Sequence, residues 1–295
     1  MDQSGNACIA WVESGSSRLE IKVSRYSSST GIWTAPLTVS NASPTSTDAL
    51  WPVIRMDPSG NTAVVWFQTV DSSTGPFSLN GAFFKAGIGW TLPANLQVGS
   101  GDVDPTCALA MSAGGGLLAW SETIDGGTTY QIFTRSWASG SNTVSAPVRT
   151  SAAAAYAYSP SLGMDAQGNA WLAWDQVSGS TSALALARYT PSAGWSSAQT
   201  FATGAGSAGG AKISMNASGG AAMIWQQLND GSHSSINGAL CAAGGAWSAP
   251  ALLETDDAGN AYAPDVSMGA NGQAVAVWYQ LDANGIRHIY ANRAR

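Results

Sequence analysis

The sequence predicts an all-β fold of six repeats, and three features carry that prediction. Trp11, Trp66, Trp120, Trp174, Trp225 and Trp278 each follow a glycine by six residues, at Gly5, Gly60, Gly114, Gly168, Gly219 and Gly272. Two residues after each Trp stands an acid or its amide: Glu13, Gln68, Glu122, Gln176, Gln227 and Gln280. The Trp-to-Trp steps are 55, 54, 54, 51 and 53 residues. A fixed period of roughly 50 residues marks a repeat architecture, in which each unit buries its apolar faces only against its neighbours.

Within a repeat, four short strands follow in order: a, b, c and d. Strand a ends in Met, at Met56, Met111, Met164, Met215 and Met268. A tight turn follows, as in Asp57-Pro-Ser-Gly60 or Asp165-Ala-Gln-Gly168. Asp and Pro open such turns and Gly supplies the positive φ that closes them. Strand b is the Gly-to-Trp stretch, typified by Gly272-Gln-Ala-Val-Ala-Val-Trp278. It alternates small and large residues, as a strand covered on both faces does. The third copy is one residue short between Met111 and Trp120. Strand c is expected at 19–26, 80–85, 130–136, 183–189, 235–241 and 287–293. Strand d is opened by Trp33, Trp90, Trp195 and Trp247, and the third copy has residues 142–143 there instead.

Four antiparallel strands per ~53 residues, repeated six times with no helical stretch, predict a six-bladed β-propeller. One domain is expected over residues 1–295, because the repeat runs from end to end. The repeat Trp is expected in the core between sheets, where its large apolar surface contributes most. The Glu or Gln two residues on points to the same face. It is expected to hydrogen-bond the backbone of a neighbouring loop, or else to line a binding face.

Strands b and c occur six times, but a and d only five. Met1-Asp-Gln-Ser-Gly5 matches Met56-Asp-Pro-Ser-Gly60, so the chain opens where a first strand a ends. It closes on strand c of the sixth repeat. The first and last blades are therefore expected to be incomplete. Either flanking segments of a longer polypeptide complete them, or the open blade edges pair with another molecule to give an oligomer.

Composition bounds the function. Net charge is −6, charged residues are 10% of the chain, and lysine is limited to Lys22, Lys85 and Lys212. That acidic, weakly charged surface argues against nucleic acid, which needs a basic footprint. No apolar run approaches the ~18 residues of a membrane span. No signal peptide is visible, since Met1 lies inside a repeat. The composition resembles that of secreted or cell-surface proteins. Cys8, Cys107 and Cys241 fall at three different repeat positions. They form no disulfide framework and are expected as small buried apolar residues. His233 and His288 have no partner spacing for a catalytic triad or zinc site, and are expected at the surface. Asp282–Gly285 and residues 229–231 read as turns rather than calcium loops. No cofactor or metal is expected.

The Asp-x-x-Gly-Asn turns and the Trp that opens strand d resemble sialidase-like propeller repeats. They are similar above all to tandem repeats of uncharacterised secreted or lipid-anchored bacterial proteins. Residues 254–264, Trp278-Tyr-Gln280 and residues 289–293 carry the resemblance best. It implies a propeller and specifies fold rather than chemistry. Sialidase repeats carry an Asp in the c–d turn, and residues 28–33, 191–195 and 243–247 lack it. The resemblance would also call for an arginine triad, a Tyr–Glu pair and an Asp acid. Arg25, Arg135, Arg188 and Arg293 recur at one place in strand c and read as repeat features, leaving Arg55 as a single channel candidate. Only Glu13, Glu20, Glu122 and Glu254 are glutamates, and no carboxylate pair stands out as the two a glycosidase needs.

The d–a and b–c loops are the longer and more varied set. The d–a loops bring Asp48, Trp51, Asp102, Asp104, Tyr156, Tyr158, Asp256, Asp257 and Tyr262. The b–c loops bring Arg18, Asp71, Asp125, Asp230, His233, Asp282 and Arg287. Aromatic faces beside carboxylates suit sugars, which stack their apolar face and donate from hydroxyls. The expected function is therefore a non-enzymatic, lectin-like module that binds carbohydrate or surface glycan through these d–a residues and Gln280. A glycoside hydrolase or lyase, and a surface protein-interaction scaffold, are the alternatives.

Overall fold

The computed structural model describes every residue except 41–47, 70–75, 125, 126, 142, 153–155, 202–205, 229–232, 256–258 and 295. The described residues are all-β, without a helix, and fall into two compact units, Met1–Arg149 and Thr150–Arg295. Each unit contains three antiparallel sheets.

In the first unit, sheet 1 joins Ala7–Ser14 to Leu19–Ser27, which also pairs with the short segments Ile32–Trp33 and Leu37–Thr38. Sheet 2 runs Ala49–Met56, Thr62–Thr69, Phe77–Lys85, then Gly89–Trp90 and Ala94–Asn95. Sheet 3 runs Val103–Ser112, Gly115–Thr123, Tyr130–Trp137 and Val148–Arg149. In the second unit, sheet 4 runs Tyr156–Met164, Ala170–Ser178, Thr181–Thr190, then Gly194–Trp195 and Gln199–Thr200. Sheet 5 runs Ala208–Met215, Ala221–Leu228, Ser234–Cys241 and Ala251–Leu252. Sheet 6 has Ala261–Met268, Ala274–Leu281 and Arg287–Ala294. Among the described residues, sheet 1 thus has no strand a and sheet 6 no strand d, as the strand count predicts.

Five of the six repeat Trp residues are core, while Trp11 is only partly buried. Trp66, Trp120, Trp174 and Trp225 are fully buried, and Trp278 nearly so. Within a unit each packs on the preceding sheet. Trp66 lies with Ile21, Val23 and Val39 of sheet 1. Trp120 lies with Leu79, Phe83 and Leu96 of sheet 2. Trp225 meets Leu184 and Leu186 of sheet 4, and Trp278 meets Ile224 and Ile236 of sheet 5. Because side chains alternate along a strand, the residue after each Trp faces the following sheet.

The a–b turn is locked by its first side chain. Asp57 Oδ1 accepts the N–H groups of Ser59 and Asn61 at 2.9 and 3.0 Å, and Oδ2 accepts Asn61 Nδ2 at 2.7 Å. Asp2 and Asp165 repeat this arrangement, and Asn216 takes the role in sheet 5. The third copy lacks the turn residue and closes instead as a tight hairpin with Ser112 opposite Gly115. Its strand-d Trp is replaced by Trp137 at the end of strand c. That indole lies so close to Gly116 that an added Cβ would sit 2.1 Å from the ring, which excludes any side chain there. Trp137 packs edge-on to Phe83 at 5.3 Å.

The arginine pattern needs one correction. Arg25, Arg188 and Arg293 pair with Cys8, Trp171 and Val275, each three residues before the repeat Trp. Arg135 pairs with Leu118, two residues before Trp120. It therefore faces the other way, reaching back to the carbonyl of Leu96 at 2.8 Å. A one-residue step reverses the face of a strand.

Candidate functional site

Strand a is interrupted in the same place in four sheets. Pairing shifts between Leu50 and Val53, Tyr158 and Ser161, Gly209 and Lys212, and Tyr262 and Asp265. In each case two residues oppose one repeat Trp, which is a β-bulge. The first bulge residue has positive φ: Trp51 at 49°, Ser159 at 54°, Gly210 at 66° and Ala263 at 49°. Such values are costly for residues other than glycine and recur where backbone is held for a purpose. The d–a end of strand a therefore departs from the packing rule below it.

In the first unit, the bulge presents Trp51. Its indole is 49% exposed. Phe77 stands edge-on to it at 5.4 Å and Phe67 lies 6.4 Å away. Asp102 is drawn in through Phe77, whose N–H donates to Asp102 Oδ1 at 2.8 Å, while Tyr130 donates its hydroxyl to Oδ2 at 2.7 Å. Asp48 accepts the N–H of Leu19 at 2.8 Å. Asp48 and Asp102 thus use their carboxylates on the framework beneath Trp51. Asp104 accepts a hydrogen bond from the Thr106 hydroxyl at the bulge of sheet 3.

In the second unit, Tyr158 lies beside Asp175, a residue the sequence reading passed over. Asp175 follows Trp174, where other copies carry Val12, Phe67, Ser121, Gln226 or Tyr279. The one signal available was an acid at a position otherwise free of charge. Its carboxylate accepts the N–H of Gly210 at 2.9 Å from the bulge of sheet 5. A Cβ on Gly209 would meet it at 3.2 Å, so any larger residue there would press the carboxylate away from the Gly210 N–H. Burial pushes its pKa up to about 6, against the opposing pull of the Gly210 N–H, Lys212 and Ser159. Burial and the Asp175 charge together push the Tyr158 phenol up. Asp175 can hold or release a proton near neutral pH, while Tyr158 stays protonated beside it.

Tyr156 is exposed and Tyr262 half-buried, its ring 5.4 Å from that of Tyr279, which Arg287 overlies at 5.2 Å. Gln280 does not belong to an exposed face: it is 1% exposed, takes the Trp278 indole N–H at 3.4 Å and donates to the Gly259 carbonyl at 3.4 Å. The amide is consumed by the core, which is the loop-backbone role weighed from the sequence. Glu122 does the same for Trp120, Val98 and Gly99. Asp256 and Asp257, with Asp71, Asp125 and Asp230, lie outside the described residues. Asp282 is spent on its own turn, accepting the N–H groups of Asn284 and Ile286 at 2.8 and 2.9 Å.

Neither a protein-family model nor a curated protein sequence matches this chain. Solved structures do. A protein of unknown function from Dyadobacter fermentans superposes with TM-score 0.60 at 12% identity, over 99% of this chain and 91% of its own. A PL25 ulvan lyase bound to an oligosaccharide gives 0.55 at 9% identity, over 94% and 74%. The NanB sialidase of Streptococcus pneumoniae gives 0.53 at 9% identity, over 100% and 67%. The fold is sialidase-like. At such identities the likeness fixes the path of the chain and assigns no residue a role. Among the described residues no helix is long and apolar enough to cross a membrane.

Proposed function

We propose that residues 1–295 form one six-bladed propeller acting outside the cell as a lectin-like module. It binds glycan, without cleaving it, at the end bearing the d–a and b–c loops. The observation that carries this reading is Trp51. Its indole is nearly half exposed, its backbone sits in a bulge, and Phe67 and Phe77 brace it from behind. An aromatic already held in place loses little freedom on binding, and its flat face suits the C–H face of a sugar ring. Asp104, Tyr156, Tyr158, Asp256, Asp257 and Tyr262 belong to the same proposed set of binding positions, with Asp48 and Asp102 supporting the Trp51 platform. Carbohydrate-active neighbours of the same fold support a sugar ligand.

A glycan array probed with the intact chain and with Trp51→Ala tests the reading. Binding by the first and its loss in the second is the expected result. No glycan retained by the intact chain overturns it. A hydrolase or lyase is a second reading, favoured by Asp175 and its pKa of about 6. Turnover of any bound glycan, abolished by Asp175→Asn, would replace the binding module by that enzyme.

A further inference from the structure

The a–b turn end of sheets 4 and 5 holds a cavity where corresponding positions of two sheet pairs in the first unit carry larger, hydrogen-bonded side chains. In the first unit, Arg25 donates to Thr62 Oγ1 at 2.8 Å and to the Gly60 carbonyl at 3.1 Å, and its guanidinium lies 3.7 Å over the Phe84 ring. Ser139 donates to Asp57 Oδ2 at 3.0 Å from the neighbouring sheet. Every group is satisfied by the protein itself.

Sheets 4 and 5 combine positions from two sheet pairs of the first unit: Arg188 faces sheet 5 as Arg25 faces sheet 2, and Asp165 faces sheet 5 as Asp57 faces sheet 3. The partners are truncated: Ala221 stands for Thr62, Cys241 for Phe84 and Ala243 for Ser139. A cavity of about 250 Å³ opens, lined by Asp165, Asn169, Trp171, Arg188, Ser218 and Gly245 among others. Trp171 and Arg188 also line an adjoining hollow of about 380 Å³. Among the described residues the half-buried Arg188 guanidinium makes no hydrogen bond and lies 5.8 Å from the Trp171 ring. Asp165 Oδ2 accepts Asn169 Nδ2 at 2.8 Å and keeps capacity for another donor.

We infer that this cavity, at the a–b turn end of sheets 4 and 5, is a site for a small hydroxylated carboxylate of monosaccharide size. Arg188 supplies the planar fork that takes a carboxylate bidentately. Asp165 takes a ligand hydroxyl where Asp57 takes that of Ser139. Trp171 offers an apolar wall for the C–H groups between them. One arginine beside one aspartate leaves little net charge, which suits a monoanion better than a phosphate.

Calorimetric titration of the intact chain with D-glucuronate, D-glucose and acetate tests the site. Saturable glucuronate binding is expected, with glucose and acetate weaker by about tenfold or more because each lacks one of the two contacts. Arg188→Gln should abolish it. Ala243→Ser should weaken it by returning to Asp165 the internal hydroxyl present in the first unit, and this small change tests the site even if the arginine variant misfolds. Trp51→Ala should leave it unchanged, which separates this site from the glycan face. Absence of saturable glucuronate binding, or binding indifferent to both Arg188→Gln and Ala243→Ser, overturns the inference.

Discussion

The Asp48 carboxylate accepts the backbone N–H of Leu19 at 2.8 Å, across the boundary between two sheets. Asp102 does the same for Phe77 at 2.8 Å and Asn260 for Ser234 at 2.7 Å, while the Ser207 hydroxyl meets the Ser182 N–H at 3.4 Å. In each case the residue just before strand a holds the start of strand c in the preceding sheet. Removing the acceptor leaves a partly buried N–H unpaired, at a cost of about 1–3 kcal/mol. Asp102→Ala should cost more than Asp48→Ala, because it also removes the hydrogen bond from the Tyr130 hydroxyl. Urea denaturation of the two variants checks the order; equal and negligible losses would show the clips to be incidental.

Glu122 stands where four of the other five copies have Gln, and its surroundings explain why. Its two oxygens together face Val98 N–H, Gly99 N–H and the Trp120 indole N–H, with Val98 within reach of both. An amide would turn an NH₂ toward one of these donors. Glu122→Gln should therefore destabilise by about 1–3 kcal/mol despite matching the repeat. A thermal melt equal to that of the parent chain would contradict this.

Asp175 makes stability depend on pH in a stated direction. Its pKa is raised from 3.8 to about 6 by burial, so the folded chain binds its proton more tightly than the unfolded chain does. This contribution is fully present below pH ~4 and is lost as pH rises through ~6, a change of about 3 kcal/mol. Asp175→Asn keeps an acceptor for Gly210 and removes the titration. The variant should gain on the parent between pH ~4 and ~7, by about 3 kcal/mol at pH 7. Parallel denaturation midpoints for the two chains across that range would argue against a strained carboxylate.

Trp66 and Trp225 are fully buried between sheets, and truncation of either to Ala should cost about 3–5 kcal/mol. Denaturant unfolding measures it. A loss under about 1 kcal/mol would mean that the sheets close over the gap.

Much of this fold was legible because the signal was repeated. A Trp in every copy, an acid or amide two residues on and the turn of strands a and b each impose one local geometry, and six copies average out local exceptions. The proposed binding residues were less legible, because the same alternation hides them. Asp48 and Asp102 look like loop acids but are anchored to backbone in the adjacent sheet, a relationship spanning 29 and 25 residues. Gln280 looked ambiguous, and only its depth decides it. Asp175 sits at an ordinary strand position and becomes unusual only when Gly209 and Gly210 close on it. Arg135 was misaligned by one residue, which pattern matching tolerates and a pleated strand does not.

The bulge in strand a acts as a phase shift. Below it, toward the Met end, inward and outward positions obey the alternation that locks neighbouring sheets together, and a substitution there is judged by packing. Beyond it the count restarts, and side chains such as Trp51, Tyr158 and Tyr262 are released from that rule while riding on the same rigid strand. One strand is thereby divided into a part whose residues are dictated by the neighbouring sheets and a part whose residues are not. Side chains beyond the bulge can be exchanged, sheet by sheet, without disturbing the packing that closes the fold.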